Sequence, residues 1–364
     1  MGGELAVAAV REASGQAQRP ETGAADVTQP GDEPHHRADR NPTRPTASSG
    51  TTAHAGAGGW SAVWERALVR LRWRGDADFF KLVRPMSSSV EAIEARLLAD
   101  PNDAGAWQAY APWLLAQGDL RGTLVTGTPD EQASIAARVD RERVHWAPLG
   151  VAMRDCVWRH GFVVAATIHV AGRVDARMLA RTMADPRSRL LGSLRLVFPE
   201  GVPSRALNWL APADLGRLRS LRASYHERGN RIVRALTRQS ALNLRTLDLR
   251  HSGVTDDGLL ALAGCERLRG LRALYLQRNR FTSRGVAALA RSPVLSGLEV
   301  LDLRYNAIGA TGAAALAESP HLGGLAALHV HADELDPDGV HALASSTSLP
   351  HDLVRLWRGQ DSLR

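Results

Sequence analysis

A right-handed superhelix of repeated strand-helix units, an α/β fold preceded by a small all-α cap, is the fold class this sequence predicts. Three observations predict it. Seven residue columns recur every 27 residues through the C-terminal part of the chain. Within each copy the apolar spacing switches from period two, as on a half-buried strand, to a helical spacing. The segment ahead of the copies carries helix caps and breakers in place of strand patterning. A fixed period of roughly 20–50 residues is the mark of a solenoid or array, because one such unit cannot bury its apolar face without a neighbour.

The columns are explicit. Leu244, Leu271, Leu298 and Leu325 start them. Leu247, Leu274, Leu301 and Leu328 follow, then Leu249, Leu276, Leu303 and Val330. Ser252, Asn279, Asn306 and Asp333 form the next column, and Val254, Phe281, Ile308 and Leu335 the one after. Gly258, Gly285, Gly312 and Gly339 keep the step, as do Leu262, Leu289, Leu316 and Leu343. The Asn column is expected to bond the turn leaving the strand, in its own coil and the adjacent one. Ser252 and Asp333 would do so more weakly. Upstream the phase persists in Leu218, Leu221 and Ala223, with Leu236 in the helical column, and in Leu191, Leu194 and Leu196. Ala165, Ile168 and Val170 are read as a still earlier copy, for six or seven coils in all.

This pattern resembles the leucine-rich repeat, of the ribonuclease-inhibitor-like subclass with a helix in each copy. The resemblance implies a horseshoe-shaped solenoid. It is clear over 244–343 and degenerate over 158–243, within a solenoid placed at 158–346. Residues 347–364 are expected to cap it, with Leu353, Leu356 and Trp357 on one helical face.

Ahead of the solenoid, residues 90–125 read as two helices. Pro101 ends the first, since the residue before a proline is pushed out of the helical region. Asp103 caps the second and Gly118 supplies its left-handed terminus. A third helix begins at Thr128-Pro129, with Glu131 completing a capping box. Leu97-Leu98-Ala99-Asp100-Pro101, Tyr110-Ala111, Trp113-Leu114, Gln117-Gly118-Asp119, Arg121-Gly122 and Trp158-Arg159-His160-Gly161-Phe162-Val163 resemble the bacterial repeat-companion domain, a helical module placed before leucine-rich repeats. The resemblance places this module at 89–150. It implies an architecture and no assigned biochemical activity. Pro112 and Thr123 depart from that family's usual Asp and Glu, and Pro112 is expected to kink its helix by removing one ladder bond.

Residues 1–58 are nearly free of large apolar residues and are expected to be disordered. They contain no apolar run for a signal peptide or a membrane span. Residues 59–88 are a linker in which Trp60, Trp64, Leu68, Leu71 and Trp73 can share one amphipathic helix. Met86 opens Met-Ser-Ser-Ser-Val-Glu-Ala, which reads equally well as a native start; residues 1–85 would then be an over-extended reading of the gene. The net charge is +7, and Lys81 is the only lysine. The arginines are scattered without a basic block, which reflects base composition more than a nucleic-acid function. Cys156 and Cys265 are far apart, and a reduced, cytoplasmic monomer is expected, with Cys265 buried in a coil.

Candidate functional residues follow from register. The strand side chains between the leucines face the concave surface: Arg195, Arg222, Asp248, Arg250, Tyr275, Gln277, Asp302, Arg304, His329 and His331. Asp248, Tyr275, Asp302 and His329 fall in one row, and His251, Arg278 and Tyr305 form the next column. Arg and Tyr are favoured anchors at protein interfaces. The plainer reading is a solvated face whose ion pairs contribute under about 1 kcal/mol each. His329, His331 and Asp333 are two apart and in a turn column, which reads as structure and not a metal site. No phosphate loop, Cys-x-x-Cys, His-Glu-x-x-His or Gly-x-Ser-x-Gly is present, so no cofactor and no enzyme are expected. The function expected is a scaffold binding a protein on the concave face. The alternatives are an Arg-rich nucleic-acid-associated protein, whose affinity would fall steeply with salt, and a repeat protein with no ligand of its own.

Overall fold

The computed structural model describes residues 86–142, 155–170, 173–199 and 213–362. Every described residue belongs to one compact unit. The expectations for 1–58 and for a helix within 60–85 lie outside the described residues.

Four helices come first. α1 (Met86–Ala99) stops just before Pro101. α2 (Ala104–Ala116) starts on Asp103, whose carboxylate accepts the Ala106 N–H at 2.8 Å. The helix runs on through Pro112. The chain leaves it at Gly118, φ +75°. α3 (Thr123–Thr126) is a single turn. α4 (Pro129–Arg141) carries the expected capping box: the Thr128 N–H donates to the Glu131 carboxylate at 2.8 Å and the Glu131 N–H to Thr128 Oγ1 at 3.4 Å. Leu97, Trp107, Tyr110 and Leu114 of these helices form one apolar cluster with Phe162, Val164 and Leu190.

The rest is a solenoid. One sheet runs in chain order through β1 (Cys156–Arg159), β2 (Phe162–His169), β3 (Ser193–Val197), β4 (Ser220–Arg222), β5 (Thr246–Asp248), β6 (Ala273–Tyr275), β7 (Val300–Asp302) and β8 (Ala327–His329). β1 pairs antiparallel with β2 across a two-residue turn, His160 and Gly161, both at positive φ as tight hairpins require. β2 through β8 are parallel, which gives seven coils among the described residues, at the upper end of the expectation. The returning helices are α5 (Arg173–Ala184), α6 (Gly229–Leu236), α7 (Asp256–Ala263), α8 (Ser283–Ala290), α9 (Gly309–Ala317) and α10 (Pro337–Ala344). α11 (His351–Asp361) packs on α10. Parallel strands sit about 4.8 Å apart while packed helices need about 8–10 Å. The stack therefore bends with the sheet inside, which makes its open face concave.

The leucine columns line a continuous core between sheet and helices. Two expectations are corrected. In β2 the register lies two residues earlier than expected: Ala166 pairs with Leu194 and Ile168 with Leu196, so the columns fall on Val163, Ala166 and Ile168; Val170 is buried in the core as well, and Ala165 is only half-buried. A bulge opposite Val157 and Trp158 leaves Val164 as the extra residue, turned to the helical cluster. In α11, Leu353, Val354 and Trp357 are buried, whereas Leu356 is 66% exposed.

Three ladders tie coil to coil. Asn279 and Asn306 lie in the turns after β6 and β7. The Asn306 amide donates to Leu276 O at 3.0 Å and Leu303 O at 2.8 Å and accepts the Asn279 N–H at 2.8 Å. Asn279 repeats this on Leu249 O, Leu276 O and the Ser252 N–H, and also accepts the Val254 N–H. Ser252 Oγ donates to Leu249 O of its own coil and, at 3.3 Å, to the Asn279 side-chain oxygen of the next, and Asp333 is exposed while Glu334 accepts the Tyr305 N–H. A second ladder follows the helices: Ser292, Ser319 and Ser346 donate to Ala263 O, Ala290 O and Ala317 O of the preceding coil, at 2.6, 2.5 and 2.5 Å. Cys265 stands in that column one coil earlier and is buried. In the third, Asp256 accepts the Thr282 and Gly285 N–H groups. A Cβ on Gly285 would meet that carboxylate at 2.6 Å, so the column requires glycine there.

Candidate functional site

The strand register places the expected row as predicted. Arg195, Arg222, Asp248, Tyr275, Asp302 and His329 pair successively across β3 to β8. They lie on the face opposite Leu247, Leu274 and Leu301, hence on the concave side. A parallel row of small residues, Ser193, Ser220, Thr246, Ala273, Val300 and Ala327, runs beside it.

Burial changes the chemistry of that face. Asp248 and Asp302 are only 2% exposed, so they offer no carboxylate to solvent. Each is covered by the arginine two residues on. Asp302 accepts the Arg304 backbone N–H at 3.2 Å, Nε at 3.0 Å and Nη2 at 2.7 Å. Asp248 holds Arg250 through the same three bonds, at 3.1, 3.0 and 2.8 Å, and also forms an ion pair with Arg222, whose Nε lies 3.0 Å away. A paired, planar fork of this kind is the strongest carboxylate contact a side chain makes. Asp119 with Arg121 and Asp185 with Arg187 repeat it elsewhere in the fold. The accessible groups on the row are therefore Arg195, Arg222, the outer edges of Arg250 and Arg304, Tyr275 and His329. Arg250 lies over the Tyr275 ring at 5.7 Å. Gln277 and His331 are half-buried, and His331 packs edge-on against Tyr305.

The next column forms a rim. Tyr225, His251, Arg278 and Tyr305 all have φ between +50° and +63°, a left-handed conformation that costs side-chain-bearing residues about 1 kcal/mol or more. All four are exposed. Tyr225 packs on His251, and Arg278 lies 4.8 Å over Tyr305. Glycine carries no such cost, so His251→Gly is expected to raise stability by about 1 kcal/mol in urea unfolding. A loss instead would mean that the ring contact with Tyr225 outweighs the strain.

Several arginines have a structural task that the sequence did not show. Arg219, Arg245 and Arg272 each donate to a turn carbonyl of the next coil, on Asn243, Gly270 and Gly297, at 3.2, 3.2 and 2.9 Å. The carbonyls recur at the same 27-residue step. Part of the arginine surplus is thus taken up in stitching coils.

The motif residues of the helical segment also build structure. Arg121 is buried, donates to Gly161 O at 3.2 Å and lies 3.6 Å from the Phe162 ring centroid. Asp119 is held below its usual pKa: burial alone would raise it, but the Arg121 fork prevails. Arg189 packs over Tyr110, Trp113 and Phe162 and reaches Glu94 and Asp119. Tyr110 donates to Glu94, and burial together with that contact pushes its phenol well above the usual range. These residues join the helices to β2.

Two other arrangements were open to chemistry. A cleft of about 480 Å³ lies between α4 and the β1–β2 hairpin, lined by Leu124, Gln132, Ala136, Trp158 and His160 among others. In the C-terminal cap, His341 Nδ1 is 3.2 Å from Asp361 and its Nε2 is 3.4 Å from Ser345 Oγ, which brings Ser, His and Asp to one point where sequence alone did not. That imidazole is 71% exposed, and the Ser345 N–H is spent on His341 O. The trio therefore lacks both a dry site and its nearest oxyanion donor. Among the described residues, no three His, Cys, Asp or Glu side chains are placed to share a metal ion, and no helix is long and apolar enough to cross a membrane.

A family model described as Leucine Rich repeat matches residues 241–263 and 297–317, the coils of β5–α7 and β7–α9. Comparison with curated proteins returns no match.

Proposed function

We propose that this leucine-rich-repeat chain is a non-enzymatic scaffold that holds a protein partner on the concave face of its solenoid, with residues 89–150 acting as a repeat-companion domain that closes the N-terminal edge. The observation that carries the reading is the row from Arg195 to His329. It spans six parallel strands, offers arginine and tyrosine outward and keeps its two carboxylates buried. Protein interfaces are enriched in those two residue types at their anchors. The buried motif residues Tyr110, Arg121, Gly161 and Phe162 join cap to solenoid, which favours a capping role over a second site. Two free cysteines suit a reducing, cytoplasmic setting.

The test is affinity capture with the full chain from its native host, comparing wild type with Tyr275→Ala and Arg195→Ala. Both should lose a specific partner while the melting curve shifts by no more than about 0.5 kcal/mol equivalent. Arg304→Ala is a poor probe, since it would uncover the Asp302 carboxylate. Capture unaffected by either substitution would refute the reading.

A further inference from the structure

Between β3 and β8 the open face holds two carboxylates, Asp248 and Asp302, and both are buried beneath arginines. Among the described residues, the accessible groups of the row from Arg195 to His329 are arginines, Tyr275 and His329, beside the small side chains of the neighbouring row and Gln277. We propose that this face receives an acidic polypeptide segment of another protein, and that Asp248 and Asp302 are positioning residues that lock Arg250 and Arg304 for it. This rests on the concave-face reading above and names the partner's chemistry.

The case is one of preorganisation. A free arginine loses roughly 2 kcal/mol of rotamer entropy when it is fixed. Here the Asp fork fixes it during folding, so an incoming carboxylate meets a guanidinium already in place. The fork takes Nε and Nη2 of each arginine and leaves the remaining donors on its outer edge. Arg250 and Arg304 are about one-third exposed, enough to be reached and little enough to stay ordered. They sit two strands apart, which sets two carboxylates about 10 Å from each other. Arg222, ion-paired with Asp248 and half exposed, widens the positive end toward Arg195. The small side chains of the neighbouring row leave room for a backbone.

A nucleic acid fits less well. A single strand needs a continuous cationic track and free aromatic faces for its bases. The strand between the two forks carries Tyr275 and Gln277, and the Tyr275 ring already has Arg250 against it.

The experiment is fluorescence anisotropy on the full chain with a labelled glutamate-rich peptide, its glutamine counterpart and a single-stranded oligonucleotide of equal charge. The glutamate peptide should bind, the glutamine peptide at least tenfold more weakly. Asp302→Asn is the decisive variant. It makes the face more positive, so a diffuse field would tighten binding; loss of the fork should weaken it about fivefold, an effect of roughly 1 kcal/mol. Arg304→Lys keeps the charge, loses the fork and should weaken binding similarly even if Asp302→Asn fails to fold. Unchanged or tighter binding by whichever of these variants folds, no binding of the glutamate peptide, or tighter fork-dependent binding of the oligonucleotide would overturn the proposal. If Tyr275→Ala abolishes partner capture while the fork variants and the peptide do nothing, the concave-face reading survives and the acidic partner falls. If Tyr275→Ala also has no effect, both fall.

Discussion

Asn306→Ala should cost about 3 kcal/mol or more of unfolding free energy, far more than an average surface substitution. The side chain is buried and serves four backbone groups on two coils. Removing it leaves the Asn279 N–H and the Leu303 carbonyl unpaired where water cannot readily replace the amide. Each such orphan costs about 1–3 kcal/mol. Asn306→Asp keeps the acceptor but buries a charge and removes the donor, so it should be no better. Ser252→Ala is the internal contrast: Ser252 Oγ donates to Leu249 O of its own coil and reaches the next coil only through a longer contact with the Asn279 side chain, so the loss should be about 1 kcal/mol. Urea unfolding followed by circular dichroism gives the ranking. Because a solenoid's stability is a sum of coil and interface contributions, hydrogen exchange should show the coils from β7 to α11 opening first in Asn306→Ala. Equal losses for Ser252 and Asn306 would mean that the ladder adds nothing across coils.

The repeat was legible because a period acts on every copy at once. Leu247, Leu274 and Leu301 had to share a core if they shared a step, and the Asn column had to sit where two turns meet. The same logic would have found Ser292, Ser319 and Ser346, whose 27-residue step was in plain view; Cys265 breaks their column at its start, and serine carries no apolar signal. Depth was less legible than direction. Alternation placed Asp248 and Asp302 on the open face correctly, but it could not tell that an arginine two residues on would fold back and bury each one. In the first coil the degenerate spacing pointed to Ala165, Ile168 and Val170, whereas the pairing of β2 with β3, together with the extra residue Val164, sets the register two residues earlier. His341 and Asp361 meet across a helix pair, a contact that no local pattern encodes.

These differences bear on function in one direction. Residues that sequence offered as free contacts, the aspartates and much of the arginine surplus, are engaged in internal bonds. Along the row from Arg195 to His329 the accessible remainder is smaller and its charged groups are arginines. The candidate surface is thereby narrowed from a general recognition face to a patch centred on Arg250, Tyr275 and Arg304.

Stability should fall by about 3 kcal/mol as pH drops from 6.5 toward 4, through a residue that sequence did not single out. His226 follows β4 and is 7% exposed. Its ring packs edge-on against Phe198 at 4.7 Å, and its Nδ1 accepts the Arg228 N–H at 3.0 Å. Burial pushes its pKa down to about 4, with the Arg228 charge adding to the effect and the Ala223 backbone opposing it. The sign follows from proton counts. Between pH 6.5 and 4 the unfolded chain binds a proton at this site and the folded chain does not, so acid favours unfolding. The full contribution is present above pH 6.5 and is gone below pH 4. His160, lowered mainly by burial, acts in the same direction. Asp103, Asp119 and Glu131 are held below their usual values, so their losses come at still lower pH and do not mimic this step. His226→Asn keeps an acceptor for the Arg228 N–H and has nothing to titrate. Unfolding free energies measured from pH 7.5 to 4 should slope in the wild type and lie nearly flat over 6.5–4.5 in the variant, apart from the His160 share. Parallel curves would show that His226 accepts its proton within the fold at little cost and that another group governs the acid response.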